Sequence, residues 1–214
     1  RDAQESRGLG DVYKRQGYIL EKLVKLKKEI SVIITRFGNN SYEIYEPIEN
    51  THEDQILKYS KIPAEINKKL FDESKDWSIR IAEELKYIGT LCVEFFVDRN
   101  ENLYVNEIAP RTHNSGHYSI EGCSISQFEH QVKIVSNQKP ENSTLKSPSV
   151  MINLLGDLWD KSSPNFDDTN KGVFIHLYYK TTPKKGRKMG HITVVDKNLQ
   201  SANNIAEEEF KKLS

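Results

Sequence analysis

No apolar run in this sequence approaches the ~20 residues a helix needs to cross a bilayer, so the reading includes no membrane partner. Neither sign of charge is in excess: 31 Lys and Arg balance 31 Asp and Glu. No overall field draws the chain to nucleic acid or anionic lipid, and partners must be argued from local sites. Cysteine is scarce. Cys92 and Cys123 are the two thiols, and neither has a C-x-x-C neighbour, which argues against zinc. With no secretory signal in view, they read as a reduced pair in the cytoplasm. Hydrophobic residues make up 36% and charged residues 29%, a composition that suits a folded, well-solvated chain of one large or two small domains. Internal repeats and low-complexity tracts are absent from the sequence.

Residues 1–16 (RDAQESRGLGDVYKRQ) have neither helical nor strand periodicity and read as an assembly artefact or foreign tail. Beyond them, Ile30, Val32 and Ile34 alternate with Ser31, Ile33 and Thr35, which predicts a strand buried on both faces. Gly38-Asn39-Asn40 predicts a turn and 41–47 a second strand. The polar stretch 49–63 predicts a loop, with Pro63 leading a helix over 64–87. Ile66, Leu70, Ser74, Trp77, Ile81 and Leu85 share one stripe of that helix, and Gly89 is placed to end it. LCVEFFVD (91–98) and NLYVNEIA (102–109) predict an antiparallel hairpin. A helix over 124–138 carries Phe128, Val132 and Val135, and a Pro/Ser/Lys linker fills 139–149. Strands at 150–155, 172–180 and 189–195 and a polar helix over 199–213 complete a second unit.

The chemistry concentrates at the hairpin and just after it. A turn centred on Asn100-Glu101 sets Glu94 opposite Glu107, and two opposed carboxylates repel unless a cation lies between them. A solvated face or a one-residue register slip explains the pattern equally well. With Asn106, the two acids form an oxygen-only set suited to Mg²⁺. The loop then places Arg111, His113, Asn114, Ser115, Gly116 and His117 in close succession. Arg111 offers a fork for phosphate or carboxylate. The histidines titrate near neutrality, and Gly116 permits close approach of backbone to a ligand. Each has a dull explanation singly; together, directly after the carboxylate strand, they predict a site. Further on, Lys180, Lys184, Lys185, Arg187 and Lys188 surround Gly186, a solvated basic turn or a phosphate clamp. Glu21, Glu29 and His52 have no motif of their own, and spacing alone makes the two glutamates surface charges.

The run NEIAPRTHNSGHYSIEGCSISQFEHQ resembles the signature of the 5-(carboxyamino)imidazole ribonucleotide synthase family of ATP-grasp carboxylases. GRKMGH resembles that family's C-terminal segment, and YILEKLVKLKKEIS its ATP hinge. The resemblance implies an α+β fold: the C-terminal part of an ATP-grasp domain over 17–138, then a small β-rich domain over 150–214. It implies that ATP phosphorylates bicarbonate and that 5-aminoimidazole ribonucleotide is carboxylated, in purine biosynthesis. By the same resemblance Glu94 and Glu107 hold Mg²⁺. Glu21, Lys22, Leu23 and Val24 hold adenine, Glu29 the ribose, and His52 and Asn106 further parts of the nucleotide. Arg111 is implied in catalysis with the two glutamates. Arg111, His113, Asn114, Ser115, Gly116 and His117 then form the aminoimidazole pocket, and Lys180 and Arg187 grip its phosphate. A homodimer is also implied. Thr112 stands where the family has Pro, and Lys184-Lys185 where Arg-Pro is common.

The family's N-terminal domain and glycine-rich lid have no counterpart upstream of Gly17. The expectation is therefore a C-terminal part with little activity alone. Two other readings stand beside it: a different ATP-grasp ligase, which HNSGH and GRKMGH argue against, and a non-catalytic nucleotide-binding remnant, which the intact Glu94 and Glu107 argue against.

Overall fold

The computed structural model describes residues 21–160, 164, 166 and 170–213; the reading of residues 1–16 lies outside them. Among the described residues nine strands form one sheet: β1 (Leu26–Arg36), β2 (Tyr42–Ile44), β3 (Ile48–Glu53), β4 (Ile56–Ile62), β5 (Gly89–Asp98), β6 (Leu103–Ala109), β7 (Ser149–Leu155), β8 (Val173–Leu177) and β9 (Lys188–Val195). Their order is β6-β5-β1-β3-β4-β7-β9-β8, with β2 on β1 off this path. Every pairing is antiparallel. The α-helices are α1 (Lys68–Glu84), α2 (Ser119–Gly122), α3 (Gln127–Val135) and α4 (Leu199–Leu213). The fold is α+β, as the resemblance implied.

Residues 30–35 of β1 are all buried, because β1 sits inside the sheet with packing on both faces. On one face Ile30, Val32, Ile34, Leu91, Val93, Phe95 and Val97 pack under α1. On the other, Ile33, Ile48, Ile62 and Cys92 meet Tyr118 and Cys123. Cys92 and Cys123 are both free and buried.

Four expectations are corrected. The predicted loop over 49–63 is the β3–β4 hairpin. Its turn is Asp54-Gln55, both left-handed at φ 48° and 65°, and its inward positions include the polar Asn50 and Ser60. A strand whose buried side chains are polar gives no alternating hydrophobic signal. The helix expected over 64–87 starts later: the Asn67 side chain caps it, accepting from Leu70 N–H at 2.9 Å. Its buried face is Leu70, Ser74, Ser78 and Ala82, while Trp77 is 47% and Leu85 57% exposed. Small residues let the helix sit close on the sheet, rotating the contact off the stripe of large side chains. Gly89 does not end this helix. Lys86 does, at φ 49°, with Tyr87 N–H returning to Ala82 O at 3.1 Å. Gly89 instead opens β5 at φ 142°, where a Cβ would lie 2.9 Å from the Tyr87 ring. Last, α3 turns Val132 and Val135 outward, 58% and 73% exposed, and buries Gln127 and His130. His130 is held between Tyr45 Oη at 2.8 Å and Glu141 O at 2.9 Å, so its polarity is fully partnered inside.

The segment 139–149 is tied down: Ser143 N–H donates to Glu43 at 2.8 Å, and Leu145 bridges Cys123. Past it, β7 pairs with β4 (Tyr59 opposite Ile152, Ile62 opposite Ser149), so the sheet runs unbroken into the C-terminal unit. There Val150, Ile152, Leu154, Ile192 and Val194 pack under Ala202 and Ala206 of α4.

Candidate active site

Glu94 and Glu107 lie directly opposite each other on β5 and β6, as the hairpin spacing predicts. The route to that register differs from the expectation. Near the turn the pairs fall one step short of it: Val97 with Leu103, Phe96 with Tyr104, Phe95 with Val105. A bulge between Glu94 and Phe95 then absorbs Asn106. Strict alternation would send Asn106 and Glu107 to opposite faces. With the bulge, both line one cavity of about 200 Å³, together with Glu29, Asn50, His52 and Glu94.

Glu29 on β1 and His52 on β3 contact each other through a carboxylate oxygen and Nδ1. Spacing alone makes Glu29 a surface charge; the strand order carries it to the same cavity as the glutamate pair. Glu21, Lys22 and Leu23 precede β1 in an exposed stretch, Leu23 being 88% exposed, and Val24 is partly covered. None of these four lines that cavity.

Burial, then the facing Glu107 charge, raises the Glu94 carboxyl above its ordinary range. Its neighbour on the other side is His113, whose Nε2 lies 3.2 Å from Glu94 Oε1. Burial, then Arg111 and Lys188, push His113 down to about 3, so it is neutral near pH 7. Oxygen donors converging from Glu94, Glu107 and Asn106, two of them facing acids, fit a hard divalent cation.

The loop residues divide sharply in what they touch. Arg111 is exposed, with Nη1 on Thr112 O at 3.0 Å. Asn114 exchanges amide hydrogen bonds with Asn153 of β7, at 2.9 and 2.6 Å. Ser115 is fully buried, between Ser31 and His113. Gly116 sits under Gln127, whose amide a Cβ would meet at 2.8 Å. The glycine is thus filled by protein on that side. His117 packs among Phe128, Tyr178 and His191, with ring centroids at 5.2, 6.3 and 4.8 Å. Burial, then Lys188, depresses it to about 4.

Asn153 also donates to Leu57 O at 2.8 Å, so one side chain ties β7, β4 and the loop together. Asn153→Leu strands these partners without replacements. The expected cost is about 2 to 3 kcal/mol, read as a lower urea midpoint with an unchanged m-value.

Lys180 and Arg187 are exposed and close their own turn: Lys180 Nζ donates to Lys188 O at 2.6 Å, and Arg187 Nη1 to Thr182 O at 2.8 Å. The sequence reading counted Lys188 among the five basic residues of that turn without singling it out. It is partly buried at the start of β9, and its charge is felt by Glu94, Arg111, His113 and His117. Burial lowers its ammonium below the usual lysine range. The available signal was its place next to buried Met189, inside a strand and not in the turn. His191, also not singled out, pairs its Nδ1 with Tyr178 Oη at 2.8 Å and stacks on His176 at 4.6 Å, while its buried Nε2 lacks a partner among the described residues.

Comparison with known proteins gives this geometry its context. The ATP-grasp domain model matches residues 1–128, and that of the phosphoribosylaminoimidazole carboxylase C-terminal domain matches 149–205. N5-carboxyaminoimidazole ribonucleotide synthase of Staphylococcus aureus strain MRSA252 is 45% identical over 183 residues, 85% of this chain and 48% of that protein. The enzyme of Staphylococcus saprophyticus is 40% identical over 200 residues, 92% of this chain and 51% of its own length. The chain thus spans about half the length of the curated relatives it matches. Among solved structures, the S. aureus synthetase complexed with ADP superposes with a TM-score of 0.80 at 40% identity, covering 91% of this chain and 52% of that one. The Aspergillus clavatus synthase in complex with ADP and 5-aminoimidazole ribonucleotide gives 0.79 at 27% identity, covering 90% and 53%. The chain belongs to the ATP-grasp family, in the group of N5-carboxyaminoimidazole ribonucleotide synthases.

Proposed function

We propose that the full-length protein containing this chain converts ATP, bicarbonate and 5-aminoimidazole ribonucleotide to N5-carboxyaminoimidazole ribonucleotide, ADP and phosphate. The observation that carries the reading is the double engagement of Glu94: it faces Glu107 across the hairpin and His113 of the HNSGH loop at 3.2 Å. One carboxylate therefore borders both the nucleotide side and the loop side of the site. Glu29, His52 and Asn106 supply polar groups to the nucleotide side. Lys188, Arg111 and neutral His113 supply donors on the loop side, where an anionic acyl phosphate and the ribonucleotide would be held. When bound, Mg²⁺ would neutralise phosphate charge between Glu94 and Glu107. Family membership extends the reading to Glu21–Val24 against adenine, to Lys180 and Arg187 against a phosphate, and to a homodimer in the cytoplasm. It also divides the chain at 139–149 into an ATP-grasp part and a C-terminal domain.

Steady-state ADP release by the full-length protein, with bicarbonate present, tests this. Release stimulated by 5-aminoimidazole ribonucleotide is expected. Release indifferent to that nucleotide would transfer the site to another ATP-grasp ligase, and no release from a folded protein would leave a binding remnant.

A further inference from the structure

Behind Glu94 runs a chain of buried polar side chains that crosses the sheet from β4. Ser60 Oγ donates to Asn50 Oδ1 at 2.8 Å, and Asn50 Nδ2 to Ser31 Oγ at 2.8 Å. Ser31 Oγ lies 2.9 Å from Ser115 Oγ, which lies 2.9 Å from His113 Nδ1. His113 Nε2 then meets Glu94 at 3.2 Å. Ser31, Ser60 and Ser115 are fully buried and Asn50 nearly so.

The direction of this chain follows from one fixed donor. The Ser115 backbone N–H points at His113 Nδ1, 3.4 Å away. A backbone N–H can only donate, so Nδ1 is the bare, accepting nitrogen. Ser115 Oγ, on the same nitrogen, must then donate its one proton there. Ser31 must therefore donate to Ser115, and so must itself accept from Asn50. Asn50 turns its NH₂ to Ser31 and its carbonyl oxygen to Ser60. Each hydroxyl has one proton, so a single choice propagates through every link. The reverse order fails at both ends. It sets Nδ1–H against the Ser115 N–H, and a bare Nε2 lone pair against a carboxylate. Cys92, fully buried against Ser31 and Ser115, adds a weak S–H that cannot reverse the order.

We propose that Ser115 is a positioning residue that fixes His113 as its Nε2–H tautomer: its backbone N–H and its hydroxyl, the latter oriented by Ser31 and Asn50, both donate to Nδ1, and the Nε2 proton faces Glu94. One oxygen of Glu94 then faces a neutral N–H 3.2 Å away, and the carboxylate also lines the cavity. The catalytic significance rests on the function proposed above; the tautomer does not.

The test is ¹⁵N imidazole NMR of the full-length protein at neutral pH without substrates, with His113 assigned through His113→Gln. Wild type is expected to show protonated Nε2 and bare, hydrogen-bonded Nδ1. Asn50→Asp replaces the NH₂ donor by an acceptor, turns Ser31 and then Ser115 round, and raises the Nδ1–H population. Ser115→Ala removes the hydroxyl on Nδ1 and moves the Nδ1 signal toward that of an unbonded acceptor, and Ser115→Thr, which keeps the hydroxyl, restores it. This pair keeps the test standing should Asn50→Asp not fold. A wild-type Nδ1–H tautomer overturns the proposal. So do His113 signals indifferent to Ser115→Ala. Because no ATP, bicarbonate or ribonucleotide is used, failure of the proposed reaction leaves this result intact.

Discussion

Glu107→Gln in the full-length protein lowers nucleotide-stimulated ADP release on the order of a hundred- to a thousandfold, the size seen when one preorganised electrostatic contact is removed. The substitution keeps the shape of the side chain and removes the charge that faces the phosphates in the proposed reaction. Its effect on stability has the opposite sign. Glu107 stands opposite Glu94 and raises the Glu94 pKa. Removing that repulsion stabilises the hairpin by a few tenths of a kcal/mol. The expected signature is thus near-complete loss of turnover with an unchanged or slightly higher urea midpoint. A variant that loses activity and stability together would instead make Glu107 a structural residue. Glu94→Gln loses activity likewise but gains less stability, because its carboxylate also lies 3.2 Å from His113 Nε2.

Acid destabilises this protein from just below neutrality. His117 and His191 have folded values near 4 and 3, both depressed first of all by burial, against about 6.5 in an unfolded chain. For a depressed histidine the unfolded state binds the proton first. Stability is therefore present above about pH 6.5 and falls as pH drops toward the folded value. Each group contributes a slope of about 1.4 kcal/mol per pH unit, so the two together give nearly 3. By pH 4 the sum reaches about 7 kcal/mol, comparable with the whole stability of an ordinary domain. The groups around them are His176, Tyr178 and Lys188, and among the described residues no carboxylate contacts either ring to offset the loss. Glu94 acts in the other direction, since its raised folded pKa makes the folded state the better proton binder. It is one group against four, since burial depresses His113 and His130 as well. Urea unfolding followed from neutral to mildly acid pH measures the slope, and His191→Gln is expected to lower it by about one group's share. Stability that stays flat over that range would refute the assignment.

What the sequence made legible were features in which side-chain type and position agree. The β5–β6 hairpin is one, with its acids in register. The buried β1 is another, since its apolar run matches packing on both faces. What stayed hidden shares one physical cause. Asn50 and Ser60 on the hairpin taken for a loop, Ser74 and Ser78 on α1, and Gln127 and His130 on α3 are polar and buried. A polar group whose hydrogen bonds are met inside the protein has the same place in a hydropathy pattern as one facing water. The partners lie far along the chain: Asn50 with Ser31, Gln127 with the His113 backbone, His130 with Tyr45. The site was legible as a cluster for a related reason. The HNSGH loop reaches Glu94 through His113, yet composition could not tell that Asn114 and Ser115 are bonded inside the protein and hold the loop down.

The pairing of β4 with β7 has a consequence for how the chain is made. About 90 residues separate these strands in sequence, Tyr59 from Ile152. Until Ser149–Leu155 leaves the ribosome, β4 stands as an open sheet edge, and its last residues Tyr59–Ile62 offer unpaired backbone to any strand that passes. The sheet therefore crosses the boundary between the two matched domains. A nascent or proteolysed chain that stops before residue 149 carries the glutamate hairpin intact and is nonetheless aggregation-prone, with the missing strand supplied by a neighbouring copy.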